Sequence, residues 1–285
     1  MSENFQGIDP VLTIPRERLG QGTGIDVHVV GDAAAVTAVM ARCMADELRK
    51  RNTLGEPTRW IVPVGPVDQY PILADICNRE RISLRDAVIF NMDEYCDAMG
   101  RLIPADHPLS FVRFMNDRFY DLLDPDLQPL PENRIFPGPA DLDAVPRRIE
   151  AVGGIDVCFG GIGINGHIAF NEPPEPGEPI SADQFRRLPT RVLSLSRETR
   201  TINSVTVGGD IWTIPLMAVT IGMREILASR EIRIYCSRPW QSGIVRRIFH
   251  GPVTPAVPAS FLQEHPRVTF TLADFVAEPP EIRLK

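Results

Sequence analysis

The chain has 285 residues, 44% of them hydrophobic and 24% charged, a balance that excludes a disordered or fibrous chain and leaves room for one large α/β domain or about two smaller ones. Thirty basic side chains face 37 acidic ones for a net charge of −7, with no dense Lys/Arg tract, so neither nucleic acid nor an anionic membrane is expected as a partner. The polar, acidic start MSENFQGIDP does not read as a secretion signal and no apolar run approaches membrane-spanning length, so a soluble, cytoplasmic protein is expected.

IDVHVVGD (25–32) reads as a strand, and AAAVTAVMARCMADELRKR (33–51) carries apolar residues at helical spacing with basic residues in its last turn. RWIVPVG (59–65) is a second strand leading to a helix near 71–79. DAVIFNMDEY (86–95) is a third, followed through HPLS by a helix over FVRFMNDRFYDLL (111–123). IDVCFGGIG (155–163) is the fourth, and after a long irregular segment come MAVTIG (217–222), REIRIYCS (230–237), a helix at 241–249 and RVTFTL (267–272). Strands alternating with helices, several of them continuous apolar runs, predict an α/β fold with a mostly parallel sheet covered by helices on both faces. No linker divides the chain, so a single domain spanning 1–285 is expected. Residues 1–24 form an N-terminal arm, and the acidic, proline-rich segment 173–190 a solvated loop or a lid. Five scattered cysteines without a C-x-x-C pair read as core thiols rather than a disulfide framework or zinc site.

In such sheets ligands bind on the loops that follow the strands' carboxyl ends. GIGINGHIAFNEP (161–173) contains a literal G-x-G-x-x-G at Gly161, Gly163 and Gly166. A dinucleotide cradle needs the third glycine to open a helix, and Pro173, Pro174 and Pro176 leave little room for one. The glycines read instead as backbone that lets a small ligand approach, presenting His167 and, five residues on, Glu172. A glycine-flanked histidine on a strand-following loop suits proton transfer. FNMDEY places Asp93 and Glu94 after a buried strand, where an acidic pair is costly unless it caps a helix or performs chemistry.

FNMDEY, HPLSF, GGIGINGHIAFNEP and SRETR resemble, in order and spacing, the glucosamine-6-phosphate deaminase/isomerase family, over about residues 25–272. The resemblance implies a Rossmann-like α/β fold and a metal-free, cofactor-free aldose-to-ketose isomerisation that expels ammonia from a small-molecule amino sugar. It is compatible with a homo-oligomer. Asp93 takes the place of the base that moves a proton between C2 and C1, and His167 with Glu172 that of the ring-opening relay. Asn165 stands where the family usually has an aspartate beside the histidine, an exchange similar to the galactosamine-type branch. Substrate binding is assigned to Gly65, Asp68, Gln69 and Glu94, to Gly161, Gly163 and Gly166, and to Arg238 and Gln241.

The chain departs from the family at the phosphate site. The family's turn of small and hydroxyl residues reads here PVGPVDQ (63–69), with Pro66, Val64, Val67 and Asp68 each removing a donor or adding negative charge. The family's phosphate-binding arginine and lysine align with Val205 and Gln241, leaving Arg238, Arg200 or Arg191 to compensate. Leu193 replaces a basic residue of the family's allosteric site. A substrate without a standard 6-phosphate is therefore expected. Two alternatives stay open: a catalytically silent sugar-binding homologue, and a sugar-lactone hydrolase of the same fold.

Overall fold

The computed structural model describes residues 7–65 and 68–283. Ten strands and nine α-helices follow one another among these residues: β1 (Ile25–Val30), α1 (Ala33–Leu54), β2 (Arg59–Val62), α2 (Gln69–Glu80), β3 (Val88–Asn91), β4 (Asp93–Cys96), α3 (Phe111–Arg118), β5 (Arg134–Ile135), α4 (Ala144–Ala151), β6 (Val157–Gly160), α5 (Ala182–Arg186), β7 (Arg191–Ser194), α6 (Arg197–Ser204), β8 (Met217–Thr220), α7 (Met223–Leu227), β9 (Glu231–Cys236), α8 (Gln241–His250), β10 (Val268–Ala273) and α9 (Asp274–Ala277).

The first β-α unit shows why these residues take this form. The Asp32 side chain accepts from the Ala35 N–H at 2.9 Å and starts α1, and Gly55, at φ 65°, ends it in a left-handed turn. Between the caps, Val36, Met40, Met44 and Leu48 fall on one stripe and are buried. The strands β3 and β6 are buried along their length and β2 from Trp60 to Val62, as strands covered on both faces must be.

Seven strands form one sheet in the order β1-β10-β9-β6-β2-β3-β5, with every neighbouring pair parallel. From β2 the chain moves outward to β3, whereas from β6 its next strand in this sheet, β9, lies on the other side. The crevice between β2 and β6 is thus the place where such sheets hold ligands.

The continuous strand expected over 86–95 is two strands in two sheets. The Met92 N–H donates to Val62 of the large sheet at 2.9 Å, and its carbonyl accepts from Ile221 at 2.7 Å. Past that residue the chain joins a separate antiparallel sheet, β4-β8-β7, with Asp93 opposite Thr220. MAVTIG accordingly belongs to this small sheet.

The described part of the N-terminal arm docks on α8: Asp9 pairs with Arg247 at 2.9 Å, and Arg246 donates to the Ile14 carbonyl at 2.9 Å. The segment 173–190 is not one loose strap. Residues 175–179 are exposed, but Ser181 and Gln184 close a capping box on α5, and buried Phe185 stacks on Phe261 at 5.5 Å. Among the described residues, no helix is long and apolar enough to cross a membrane.

Candidate active site

The loop after β6 is built around one imidazole. A Cβ placed on Gly163 would lie 2.0 Å from His167 Cε1 and 2.1 Å from its Nε2, so only glycine leaves room for the ring. Gly166 sits at φ 87°, its carbonyl accepting from Ala259 at 2.8 Å while Val257 and Ile244 close over its α-carbon. These two glycines therefore serve the protein's own side chains, which fill the space that the sequence assigned to an approaching ligand. Gly161 is half-buried at the start of the loop. No helix follows Gly166 until α5, which rules out the pyrophosphate cradle.

His167 and Glu172 are each 9% exposed, and Asn165 lies between them. The Asn165 amide nitrogen donates to Glu172 Oε2 at 2.8 Å, so its oxygen turns to His167 Nδ1, also at 2.8 Å. An amide oxygen only accepts, which makes Nδ1 the protonated nitrogen and leaves Nε2 for proton exchange. Thr199 Oγ1 lies 3.2 Å and Glu172 Oε2 3.4 Å from Nδ1. Ser196, the N-cap of α6, donates to Glu172 through its hydroxyl at 3.2 Å and its N–H at 3.3 Å. Burial pushes the Glu172 carboxyl up, but its hydrogen bond to and charge attraction by His167, with the bonds from Asn165 and Thr199, outweigh burial and hold it at about 2.

Asp93 and Glu94 part company. Glu94 accepts from the Phe111 and Val112 N–H groups at 3.0 and 2.9 Å, from Ser110 Oγ at 2.8 Å and from the Tyr95 N–H at 2.8 Å. It caps the start of α3, and its full set of partners withdraws it from substrate binding. Asp93 is 6% exposed, and none of the hydrogen bonds among the described residues involves its carboxylate. Burial first, and the Glu94 charge second, push the Asp93 carboxyl well above its usual range. A buried acid held ready to take a proton is suited to base catalysis. The histidine loop reaches β8, the strand paired with that of Asp93, through the Phe170 N–H, which donates to Thr220 Oγ1 at 3.0 Å.

No family model matches the chain. Over 260 residues it is 34% identical to the glucosamine-6-phosphate deaminase of Rhodopirellula baltica, an alignment covering 89% of this chain and 95% of that one. The chain belongs to the glucosamine-6-phosphate deaminase family. The relative from Tolumonas auensis is 33% identical over 244 residues, covering 83% of this chain and 85% of its own. Among solved structures, a monomeric glucosamine-6-phosphate deaminase superposes with a TM-score of 0.73 at 28% identity, covering 88% of this chain and 98% of that one. The 6-phosphogluconolactonase of Thermotoga maritima, at 15% identity and a TM-score of 0.63, covers 88% of this chain and 100% of its own and shares the fold.

Against this deaminase-family background the remaining sequence-assigned residues separate. Gly65 and Asp68 are exposed at the end of β2, whereas Gln69 is fully buried. Pro66 and Val67, two of the changes in the phosphate turn, lie outside the described residues. Gln241 donates to the Ile162 carbonyl at 2.8 Å, fastening the β6 loop to α8, and accepts from the Arg238 N–H at 2.8 Å in the turn that precedes the helix. It is a structural tie rather than a free ligand contact. Arg238 itself is exposed, and no ion pair among the described residues engages it. Arg191 donates to Asn171 Oδ1 at 2.7 Å and is lowered to about 10 by burial. Arg200 donates to the Ile211 carbonyl at 2.9 Å. Val205 is 69% exposed. Among the described residues, no three His, Cys, Asp or Glu side chains converge as a metal ion would require.

Ser196, Thr199, Asn171 and Thr220 carry no assignment in the sequence reading. The SRETR stretch does hold an N-cap signal at Ser196, but nothing local tells that its hydroxyl meets a glutamate 24 residues earlier.

Proposed function

We propose that this chain converts an amino sugar to the corresponding ketose with release of ammonia, and that its substrate does not depend on a 6-phosphate. The observation that carries the reading is the orientation of the His167 ring: Nδ1 is engaged by Asn165, which leaves Nε2 as the nitrogen to exchange a proton with the substrate. In the reading, Nε2 exchanges a proton with the sugar's ring oxygen and opens the ring, and Glu172 and Asn165 hold the imidazole through Nδ1. Asp93 then removes the C2 proton of the open chain and returns it to C1. That shift leaves a C2 imine, to which water adds as ammonia departs, so the substrate gains one water and loses one ammonia. The raised pKa of Asp93 supports the base assignment, because a carboxylate that binds protons tightly is a stronger base.

The charge inventory supports the substrate class. A phosphate dianion taken from water needs several donors and a cation, with charge-assisted bonds contributing roughly 1.5–3 kcal/mol each. Val205 supplies none, Gln241 is bound to backbone, and Arg191 and Arg200 donate inward. Of Arg191, Arg200 and Arg238, Arg238 is the exposed one. Ammonia release assayed over phosphorylated and free amino sugars, with a sugar lactone alongside, tests the activity; lactone hydrolysis without deamination would refute it. Calorimetry tests the substrate class, and micromolar binding of glucosamine 6-phosphate with none of the free sugar would overturn it.

A further inference from the structure

The two proton-transfer centres stand on different pieces of the fold, His167 and Glu172 on the loop after β6 and Asp93 on the small sheet. Two side chains bridge that division. Thr220 is the residue directly opposite Asp93, and in an antiparallel pair opposite side chains share one face, with Cβ atoms about 4.5–5.5 Å apart. Its hydroxyl, wholly buried, accepts the Phe170 N–H at 3.0 Å. Asn171, also wholly buried, donates its amide nitrogen to the Ile168 carbonyl at 3.0 Å and to the Ile221 carbonyl at 2.9 Å. Arg191 fixes the direction of that amide, because a guanidinium only donates and so claims Oδ1, at 2.7 Å. The circuit closes through the backbone, where the Ile221 N–H donates to the Met92 carbonyl at 2.7 Å, one residue before Asp93.

Between these bonds the loop holds a strained residue. Ala169, with φ at 52°, takes the left-handed conformation, which costs a residue with a Cβ roughly 1–2 kcal/mol. Such a turn persists where its surroundings over-determine it. Here the bonds to Ile168 on one side and from Phe170 on the other do so.

We propose that Thr220 and Asn171 are positioning residues that hold the His167 loop in register with Asp93, so that ring opening and C2 proton transfer act on one bound sugar. The inference rests on the deaminase reading above. Neither residue touches the reacting atoms. A misplacement of about 1 Å between groups that must act on the same substrate is enough to cost about a hundredfold in rate.

The test compares Thr220→Val, which keeps the shape and removes the hydroxyl, with Thr220→Ser, which keeps the hydroxyl. Each is measured for kcat, KM and the pH dependence of kcat in ammonia release, beside wild type. The valine variant is expected to lose at least tenfold in kcat, with KM within about threefold and a changed pH profile, and the serine variant to recover most of the rate. Amide hydrogen exchange on the wild-type protein gives a reading that does not depend on any variant folding, since the Phe170 N–H should be protected far beyond its loop neighbours. A valine variant with wild-type kcat and profile overturns the proposal, as does rapid exchange at Phe170. Wild-type protein that releases ammonia from no sugar brings down the deaminase reading itself, and the positioning roles with it.

Discussion

Glu172→Gln replaces a carboxylate with a neutral group of nearly the same shape, so it isolates what the charge contributes. The Glu172 carboxyl falls from an ordinary 4.5 to about 2 in the folded protein. At about 1.4 kcal/mol per unit, that difference is on the order of 3 kcal/mol of folding stability. The sign follows from the direction. A depressed carboxyl pKa stabilises fully above the unfolded value and loses its contribution as pH falls from about 4.5 to about 2. Urea unfolding of wild type and variant at steps between pH 2 and pH 6 should therefore show a gap of about 3 kcal/mol at the top of the range, closing toward zero at the bottom. For a chain of this length the same gap lowers the melting temperature by about 5 °C near neutral pH. A gap that stays constant over the range would mean that Glu172 contributes packing and not charge. The absence of any gap would mean that His167 and Asn165 do not hold it ionised.

Asp93→Asn should abolish ammonia release and at the same time raise the melting temperature. A raised carboxyl pKa gives stability that is present below the ordinary carboxylate range and lost as pH rises through the folded value, so near-neutral pH is where the amide gains over the buried acid. Near-normal kcat, or a fall in melting temperature, would contradict the assignment. Gly163→Ala drives a methyl group into the His167 ring and should cost about a hundredfold or more in kcat while circular dichroism stays native. Asn165→Asp sets a second carboxylate where an amide now donates to Glu172 at 2.8 Å, so the two acids must share a proton. The acidic limb of the kcat/KM profile should move to higher pH, and an unchanged profile would show that residue 165 does not govern the imidazole.

How much of this was legible depends on how local each signal is. β1 and α1 are written in their own residues, as an alternating strand, an aspartate cap, a stripe at helical spacing and a terminal glycine. The break at Met92 is not, because VIFNMDEYC reads as a single buried run and the change of sheet is a change of distant hydrogen-bond partner, from Val62 to Ile221. β7 is not legible for a related reason: three half-buried residues and an exposed serine make a strand only when β8 arrives to pair with them. In the site, the histidine loop stood out because its glycines are unusual, and the structure brings Asn165, His167 and Glu172 within hydrogen-bonding reach. Glu94 misled because an acid after a buried strand looks the same whether it meets a substrate or the N-terminus of α3, whose free N–H groups lie 17 and 18 residues downstream. Gln241 misled likewise, since its partner Ile162 is 79 residues away.

The pleat of β4 divides two chemically similar acids by parity. Successive side chains of a strand point to opposite faces, so the odd-numbered carboxylate stands beside Thr220 while the even-numbered one reaches the start of α3. Inserting one uncharged residue after Met92 would move the aspartate to the place of Glu94 and the glutamate to that of Tyr95, each on the opposite face, without altering the charge of the segment. The aspartate proposed as the base would then point toward the start of α3, one methylene shorter than the glutamate that caps it, and the inserted residue would stand opposite Thr220. Single-residue insertions at this junction are thus expected to be far more damaging than substitutions of either neighbour of the pair, because they leave both acids present and turn each to the wrong face.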